Sequence, residues 1–323
     1  MASLRSILML IGALTGGLSQ PALAQYPDHV VKVVVPYTPG GPADLLGRYV
    51  SQKLAQSWQQ PVIVENKPGA GLSIGAEFVA RSAPDGYTML IGASSMLVDT
   101  GAGGRSPADN LKEFAPVSLV GSFPLVLVAS NSLPMRNVRE VVDYAKAHPD
   151  ELNFGSSGNG SLTHLAGALF VQLTGANLVH VPYKGINEAL VDLTAGRVQL
   201  SFAGPPIALP LVKAGKMRGL AMTSVKRSGL APDLPTVAEG GFPSYDVTPW
   251  YGVLAPAATS AAIVTRLHRD IVKVMETSDV RETWKSWGAD PTYSKAPEEF
   301  AALMRAEAAK WERLIKAGGV KLN

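Results

Sequence analysis

From Val30 onward one local pattern recurs: a short β-branched run, a turn rich in glycine, proline and serine, then a segment with apolar residues on one helical face. Val30–Pro36 (VVKVVVP) is a continuous β-branched run, as expected of a strand buried on both faces. Gly40-Gly41-Pro42 punctuates it, and Ala43–Trp58 sets Leu45, Leu46, Tyr49, Val50 and Leu54 on one helical face. Val62–Val64 predicts a second strand, Asn66–Gly71 a turn, Ile74–Ser82 a helix ending before Pro84-Asp85-Gly86, and Thr88–Gly92 a third strand. Alternation of this kind implies parallel strands joined by helical crossovers.

Residues 93–112 carry Gly101, Gly103, Gly104 and Pro107 and read as a surface loop. Val117–Val120 and Leu125–Ala129 are strand-like around Pro124, and Val138–Ala147 is an amphipathic helix stopped by Pro149. A second unit follows. Its predicted strands are Asn153–Gly155, Val179–Pro182, Leu200–Ala203 and Met217–Thr223, and its helices are Ser161–Leu173, Ile186–Ala195 and Pro206–Ala214. Trp250–Leu254 is strand-like, and Val264–Thr277 and Pro297–Ala317 are long helices with little strand between them. Such helices most simply pack back on the first unit. The expected domains are therefore 25–122 plus 250–323, discontinuous, and 123–249. The chain of 323 residues suits two domains at roughly 150 residues each. Two α/β lobes of parallel-rich sheet flanked by helices leave a cleft between them, and domain interfaces at strand carboxyl ends are where ligand pockets form.

Residues 1–24 read as an address. Arg5 precedes the apolar run Ile7–Leu14, and Ala22-Leu23-Ala24 is a small-x-small cleavage site before Gln25. The run is too short to span ~30 Å of hydrocarbon. The expectation is an exported, periplasmic protein that is soluble once cleaved. Cysteine is absent, which excludes disulfides, thiolate metal sites and a cysteine nucleophile. The formal charge of +3 is spread along the chain with no basic stripe, so nucleic acid is not an expected partner.

The glycine turns carry the chemistry. Tyr37-Thr38-Pro39-Gly40-Gly41-Pro42 and Ser156-Ser157-Gly158-Asn159-Gly160-Ser161 each precede a predicted helix. Helix N-termini present unpaired N–H donors and about half a positive charge, and glycine and Ser/Thr let an anion reach them. One such turn in each lobe would hold a small molecule with two anionic or polar ends. Asp44 is a candidate contact beside the first turn, though a structural part fits it better, bonding first-turn N–H groups or pairing with Arg48 at i+4. His164 lies in a helix first turn near the proposed ligand, His180 reads as a packed strand histidine, and Lys184 sits at a strand end facing the cleft. Trp250 and Tyr251 are candidate hinge packing.

Other chemistries fit poorly. No GxxxxGK[ST] is present, and Gly69, Gly71 and Gly75 give GxGxxxG rather than a dinucleotide fingerprint. None of the five histidines (His29, His148, His164, His180 and His268) pairs at HxxxH or HExxH spacing, so neither metal nor cofactor is expected. Gly71-Leu72-Ser73-Ile74-Gly75 matches GxSxG, which makes a secreted serine hydrolase the rival reading. The intervening Lys67-Pro68-Gly69-Ala70 instead signals a loop, with Ser73 as a helix N-cap.

Several separate stretches resemble the periplasmic solute receptors of tripartite tricarboxylate transporters, the Bug family. They are Val33–Pro36 with Gly40-Gly41-x-x-Asp44-x-x-x-Arg48; Val64–Gly71 (VENKPGAG); Ala83–Thr88 (APDGYT); Phe114–Val117 (FAPV); Gly160-Ser161-x-x-His164-Leu165-Ala166; and His180–Gly185 (HVPYKG). Ala214-Gly215-Lys216-x-Arg218-x-Leu220-Ala221 and Leu234-Pro235-Thr236-x-x-Glu239 follow. The resemblance covers nearly all of residues 26–323. It implies a two-lobed, type II-like binding protein, not an enzyme, that captures a small carboxylate and delivers it to a membrane permease. Di- and tricarboxylates, acidic amino acids and aromatic acids are family ligands. A monomer is expected, and a ligand-presenting partner of a sensor kinase would share the same fold. The family pattern implies ligand contacts at Tyr37, Thr38, Gly40 and Gly41; at Ser94 and Ser95; at Ser156, Ser157, Gly160 and Ser161; and at the turn Ala203-Gly204-Pro205. Two departures stand out: Met96–Asn110 is Gly-rich where many members carry an aromatic, Asn-Pro-rich stretch, and Ala168 stands where an acid is common.

Overall fold

The β-branched run forms strand β1, Val31–Val35, buried at four of its five positions. A computed structural model describes residues 26–69, 72–97 and 111–316. The expected signal peptide, Gly71 of the GxSxG match and residues 98–110 of the Gly-rich loop lie outside the described residues.

Helix α1 (Pro42–Trp58) leads from β1 to β2 (Val62–Asn66), and α2 (Ser73–Ala80) leads to β3 (Thr88–Ala93). Both β2 and β3 pair parallel to β1. Ser94–Leu97 is a single 3₁₀ turn at the start of what the sequence suggests is loop. Strand β4 (Phe114–Ser122) extends further at both ends than the expected Val117–Val120.

The chain then enters the second sheet as β5 (Val126–Ala129). Helix α3 (Val138–Ala147), β6 (Asn153–Ser156), α4 (Leu162–Thr174), β7 (Val179–Pro182), α5 (Ile186–Thr194), β8 (Leu200–Ala203), α6 (Pro205–Lys213) and β9 (Arg218–Met222) follow. Strand β10 (Trp250–Pro256) returns to the first sheet, and α7 (Ala261–Met275), α8 (Ser278–Ser286) and α9 (Pro297–Lys316) complete the described chain. The sheet orders are β2-β1-β3-β10-β4 and β7-β6-β8-β5-β9, two copies of one pattern. The protein is thus a two-lobed α/β molecule.

In each sheet one strand runs against its neighbours: β10 between β3 and β4, and β5 between β8 and β9. These are the strands that enter from the other lobe. Such a strand starts at the edge facing that lobe, where the parallel strands end, and has to run backwards. The two connections lie side by side. Phe123 N–H donates to Pro249 O (2.7 Å), Leu125 N–H to Thr223 Oγ1 (2.7 Å), and Thr223 Oγ1 to Val247 O (2.6 Å).

Helix α8 has no clear signal in sequence because only Val280 and Trp284 are buried, one i,i+4 pair. Trp284 Nε1 nonetheless donates to Val120 O (2.7 Å) and fixes α8 under β4. In the second lobe, α4 lies tight on the sheet: a Cβ at Gly167 would come within 2.1 Å of the Phe154 ring. Trp250 meets Phe300 edge-on at 5.0 Å between ring centroids, and its Nε1 donates to the buried Glu307 (2.7 Å). Lys310 Nζ ties Glu307 (2.8 Å) to the Asp246 carbonyl (2.9 Å), so α9 braces the connection into β10.

Candidate functional site

The carboxyl ends of β1 and β3 carry the first lobe's turns, and Tyr37 Oη joins them by a 2.6 Å hydrogen bond to Ser95 Oγ. Thr38 and Gly40 are exposed beside them. Gly40 adopts φ +88°, which favours glycine. Ser94 is buried, with an Oγ that has no partner among the described residues.

Asp44 is buried against its own lobe. Its side chain is 3% exposed and accepts from the Gly40 N–H (2.9 Å), Arg48 Nε (2.9 Å) and Asn66 Nδ2 (2.8 Å). Burial alone would raise its pKa; the Arg48, Gly40 and Asn66 donors outweigh that and hold it below the ordinary aspartate value. Its carboxylate is saturated by its own lobe and braces the Tyr37–Gly41 turn, the structural part that the i+4 spacing to Arg48 suggests. Asn66, which the sequence offers only as a turn residue, completes the brace. Its Nδ2 also donates to Tyr37 O (3.1 Å), and its Oδ1 accepts from Arg48 (2.9 Å).

In the second lobe, Ser161 is the N-cap of α4, its Oγ accepting the His164 N–H (3.2 Å) and donating to Gly158 O (2.7 Å). The N–H groups of Leu162 and Thr163 remain first-turn donors without an acceptor inside the helix. Thr163 Oγ1 is the hub of a hydroxyl cluster, 2.9 Å from the Ser157 N and 3.0 Å from the hydroxyls of Ser157 and Ser161. Ser161-Leu162-Thr163 was the available signal for it. Ser156 is fully buried, and its hydroxyl is engaged with His180 Nε2 (2.6 Å) and the Gly158 backbone, so its side chain supports the turn from within. His164 is likewise buried, its Nδ1 accepting the Gly160 N–H (3.0 Å). Gly160 itself adopts φ +73°.

Lys184 is exposed and makes no hydrogen bond or ion pair among the described residues. Ala203 points into the core with no exposure, so its side chain offers a ligand nothing; Pro205 is the buried first residue of α6. Ser73 opens α2 after Leu72, the cap residue, and lies several residues beyond β2. A nucleophile elbow needs the serine on the strand-to-helix turn itself, and this serine is not there. It is also the first residue of the helix rather than its N-cap.

One feature recurs in both lobes. Helices α1, α5 and α6 are capped by Gly41, Gly185 and Gly204, none with a side-chain hydrogen bond. Their φ values of −83°, −164° and −63° are open to any residue. A Cβ would meet only Thr38 O at 4.0 Å at Gly41, only Pro206 Cδ at 3.8 Å at Gly204, and nothing within 4 Å at Gly185. Neither backbone strain nor packing requires glycine at these three helix starts. At α1 and α5 glycine leaves bare N–H donors and room before them, whereas at α6 it leaves only room, since Pro205 and Pro206 carry no N–H and the Ile207 N–H bonds Gly204 O (3.1 Å). No group of three or more acidic or histidine side chains suited to a metal occurs among the described residues.

Residues 46–320 match the family model described as tripartite tricarboxylate transporter family receptor. The chain is 35% identical over 312 residues to Protein BugT of Bordetella pertussis, covering 96% of this chain and 95% of that one. It superposes with a TM-score of 0.73 on R. palustris Rpa4515 with adipate (34% identity, 91% of this chain and 99% of that one). With MatC from Rhodopseudomonas palustris with bound malate, the TM-score is 0.70 (30% identity, 90% and 100%).

Proposed function

Because the chain belongs to the tripartite tricarboxylate transporter receptor family, whose members are solute-binding proteins and not enzymes, we propose that it captures a small dicarboxylate or tricarboxylate between its lobes. It would hand that ligand to the integral-membrane permease of the transporter. The observation that carries this reading is the pair of helix starts at strand ends of the two lobes: α1 after Gly41, a glycine the fold itself does not need, and α4 after the hydroxyl-rich Ser156–Ser161 turn. Adipate and malate in the two neighbours are both dicarboxylates, which supports the same class.

In this reading one carboxylate sits at the Tyr37–Gly41 turn and the α1 N-terminus, with Ser95 beside it. The other sits at Ser157–Ser161 and the α4 N-terminus. Backbone N–H groups and hydroxyls carry the negative charge, each charge-assisted hydrogen bond contributing about 1.5–3 kcal/mol. A ligand that bridges both sites favours the closed arrangement over the open one, a hinge motion about the connections near Phe123 and Pro249. The moving bodies are 25–122 with 250–323, and 123–249. The leader 1–24 directs export, with cleavage after Ala24 leaving a monomeric periplasmic protein.

A thermal-shift and calorimetric screen of malate, adipate, citrate, acidic amino acids and aromatic acids tests the ligand class. Saturating ligand should also reduce the radius measured by small-angle scattering. Stabilisation by none of these acids, alongside binding of a neutral solute, would overturn the carboxylate reading.

A further inference from the structure

We infer that His180, stacked on His164, is a positioning residue that holds the Ser156–Gly160 turn in its ligand-ready shape. The inference rests on the functional reading above for what the turn binds, but the brace itself stands on geometry. The two imidazoles lie parallel, 3.8 Å apart between centroids with 5° between planes. His180 Nε2 is 2.6 Å from Ser156 Oγ, and that hydroxyl in turn accepts the Gly158 N–H at 3.1 Å. His164 Nδ1 accepts the Gly160 N–H at 3.0 Å, so the neutral ring carries its hydrogen on Nε2. The stack therefore grips the turn at both ends, and Phe154 packs beside it, 4.9 Å from His180 and 6.4 Å from His164 between centroids. Gly158 and Gly160, at φ +117° and +73°, are the residues the grip holds in left-handed conformations.

The brace works only while both rings are neutral. A proton on His164 Nδ1 would replace the acceptor of Gly160 by a donor, and charging both rings would set like charges face to face. Nothing nearby offsets this. Strands β6, β7 and β8 and helix α4 contain no Asp, Glu, Lys or Arg. Helix α5 brings Glu188 and Asp192, the latter tied to Arg197 and Tyr183. Helix α9, which packs on α4, brings Glu307 and Lys310, tied to each other. Burial lowers the pKa of both rings, and His164 lowers that of His180 further, to about 4.

The test uses the ¹⁵N-labelled mature chain. Histidine ring resonances and the Gly158 and Gly160 amides are followed from pH 7.5 to 4, with malate and adipate affinities measured at pH 7.5 for wild type, His180→Leu and His180→Gln. Both rings should titrate below the free-imidazole range, His180 at about 4, and the glycine amides should shift only as those rings protonate. His180→Leu should weaken binding about tenfold by removing the ring's hold on the Ser156 hydroxyl, and His180→Gln, which can still meet it, should recover most of the loss. Ordinary titration of both rings, or glycine amides indifferent to them, would overturn the brace. So would equal affinity of His180→Leu and wild type. If wild type binds neither acid, the functional reading is left to the wider acid screen, and the resonances alone decide the brace.

Discussion

Gly41→Ala separates a glycine kept for a ligand from one kept for the fold. At φ −83° and ψ 172° alanine adopts the native backbone without strain, and its Cβ meets only a carbonyl oxygen at 4.0 Å. Reduced freedom of the unfolded chain should stabilise the variant by about 0.4–1 kcal/mol. Alanine is a poorer N-cap than glycine, which costs roughly the same, about 0.5–1 kcal/mol. The two effects nearly cancel, so urea unfolding of the free protein should move by no more than about 0.5 kcal/mol. Binding should respond differently. The methyl group occupies the space through which an anion reaches the bare donors of α1, and losing one charge-assisted hydrogen bond costs about 1.5–3 kcal/mol. That is a loss in affinity of about tenfold to 150-fold, read by calorimetry with the best acid from the screen. Gly41→Val should be worse still. Unchanged affinity in Gly41→Ala would refute the argument that this helix start is open for a ligand. A large loss of stability would refute the claim that the fold does not need the glycine.

Asp44→Ala should show the opposite profile, destabilising the free protein by about 2–3 kcal/mol. Removing one partner of a buried pair costs about 3–5 kcal/mol, and Arg48, half exposed, can recover some of it from water; a change under 0.5 kcal/mol in urea unfolding would show that the brace is dispensable. Acid should act through the histidine stack. A histidine lowered from 6.5 to about 4 adds stability that is complete above pH 6.5 and is lost as pH falls to about 4. Full burial would make this roughly 3 kcal/mol, and solvent screening of the part-exposed ring reduces it to about 1–2 kcal/mol. His180→Gln should lack that share of the acid loss, and parallel stability curves for the two proteins would contradict the assignment. Ser157→Ala should weaken carboxylate binding roughly tenfold, whereas Lys184→Ala should change it little. Abolished binding in Lys184→Ala with a silent Ser157→Ala would move recognition from the helix start to a lysine.

Local pattern determined much of this protein. The β-branched run at Val31–Val35, the amphipathic face of α1 and the Ser161 cap are decided by residues within a few positions of one another, so they are legible in the chain. The glycine turns were legible for the same reason: a helix start announces itself by what lies next to it. Tertiary structure alone decided three things. It reversed β5 and β10, because a strand crossing from the other lobe begins at the edge where the parallel strands end. It completed the ring around Asp44, because Asn66 of β2, remote in sequence, joins the i+4 partner Arg48 at its carboxylate. It also set His164 and His180 face to face, 16 positions apart in sequence and 3.8 Å apart in space. Which histidine supports and which hydroxyl is left for a ligand depends on that packing, since a buried polar group takes whatever partner the fold brings within reach.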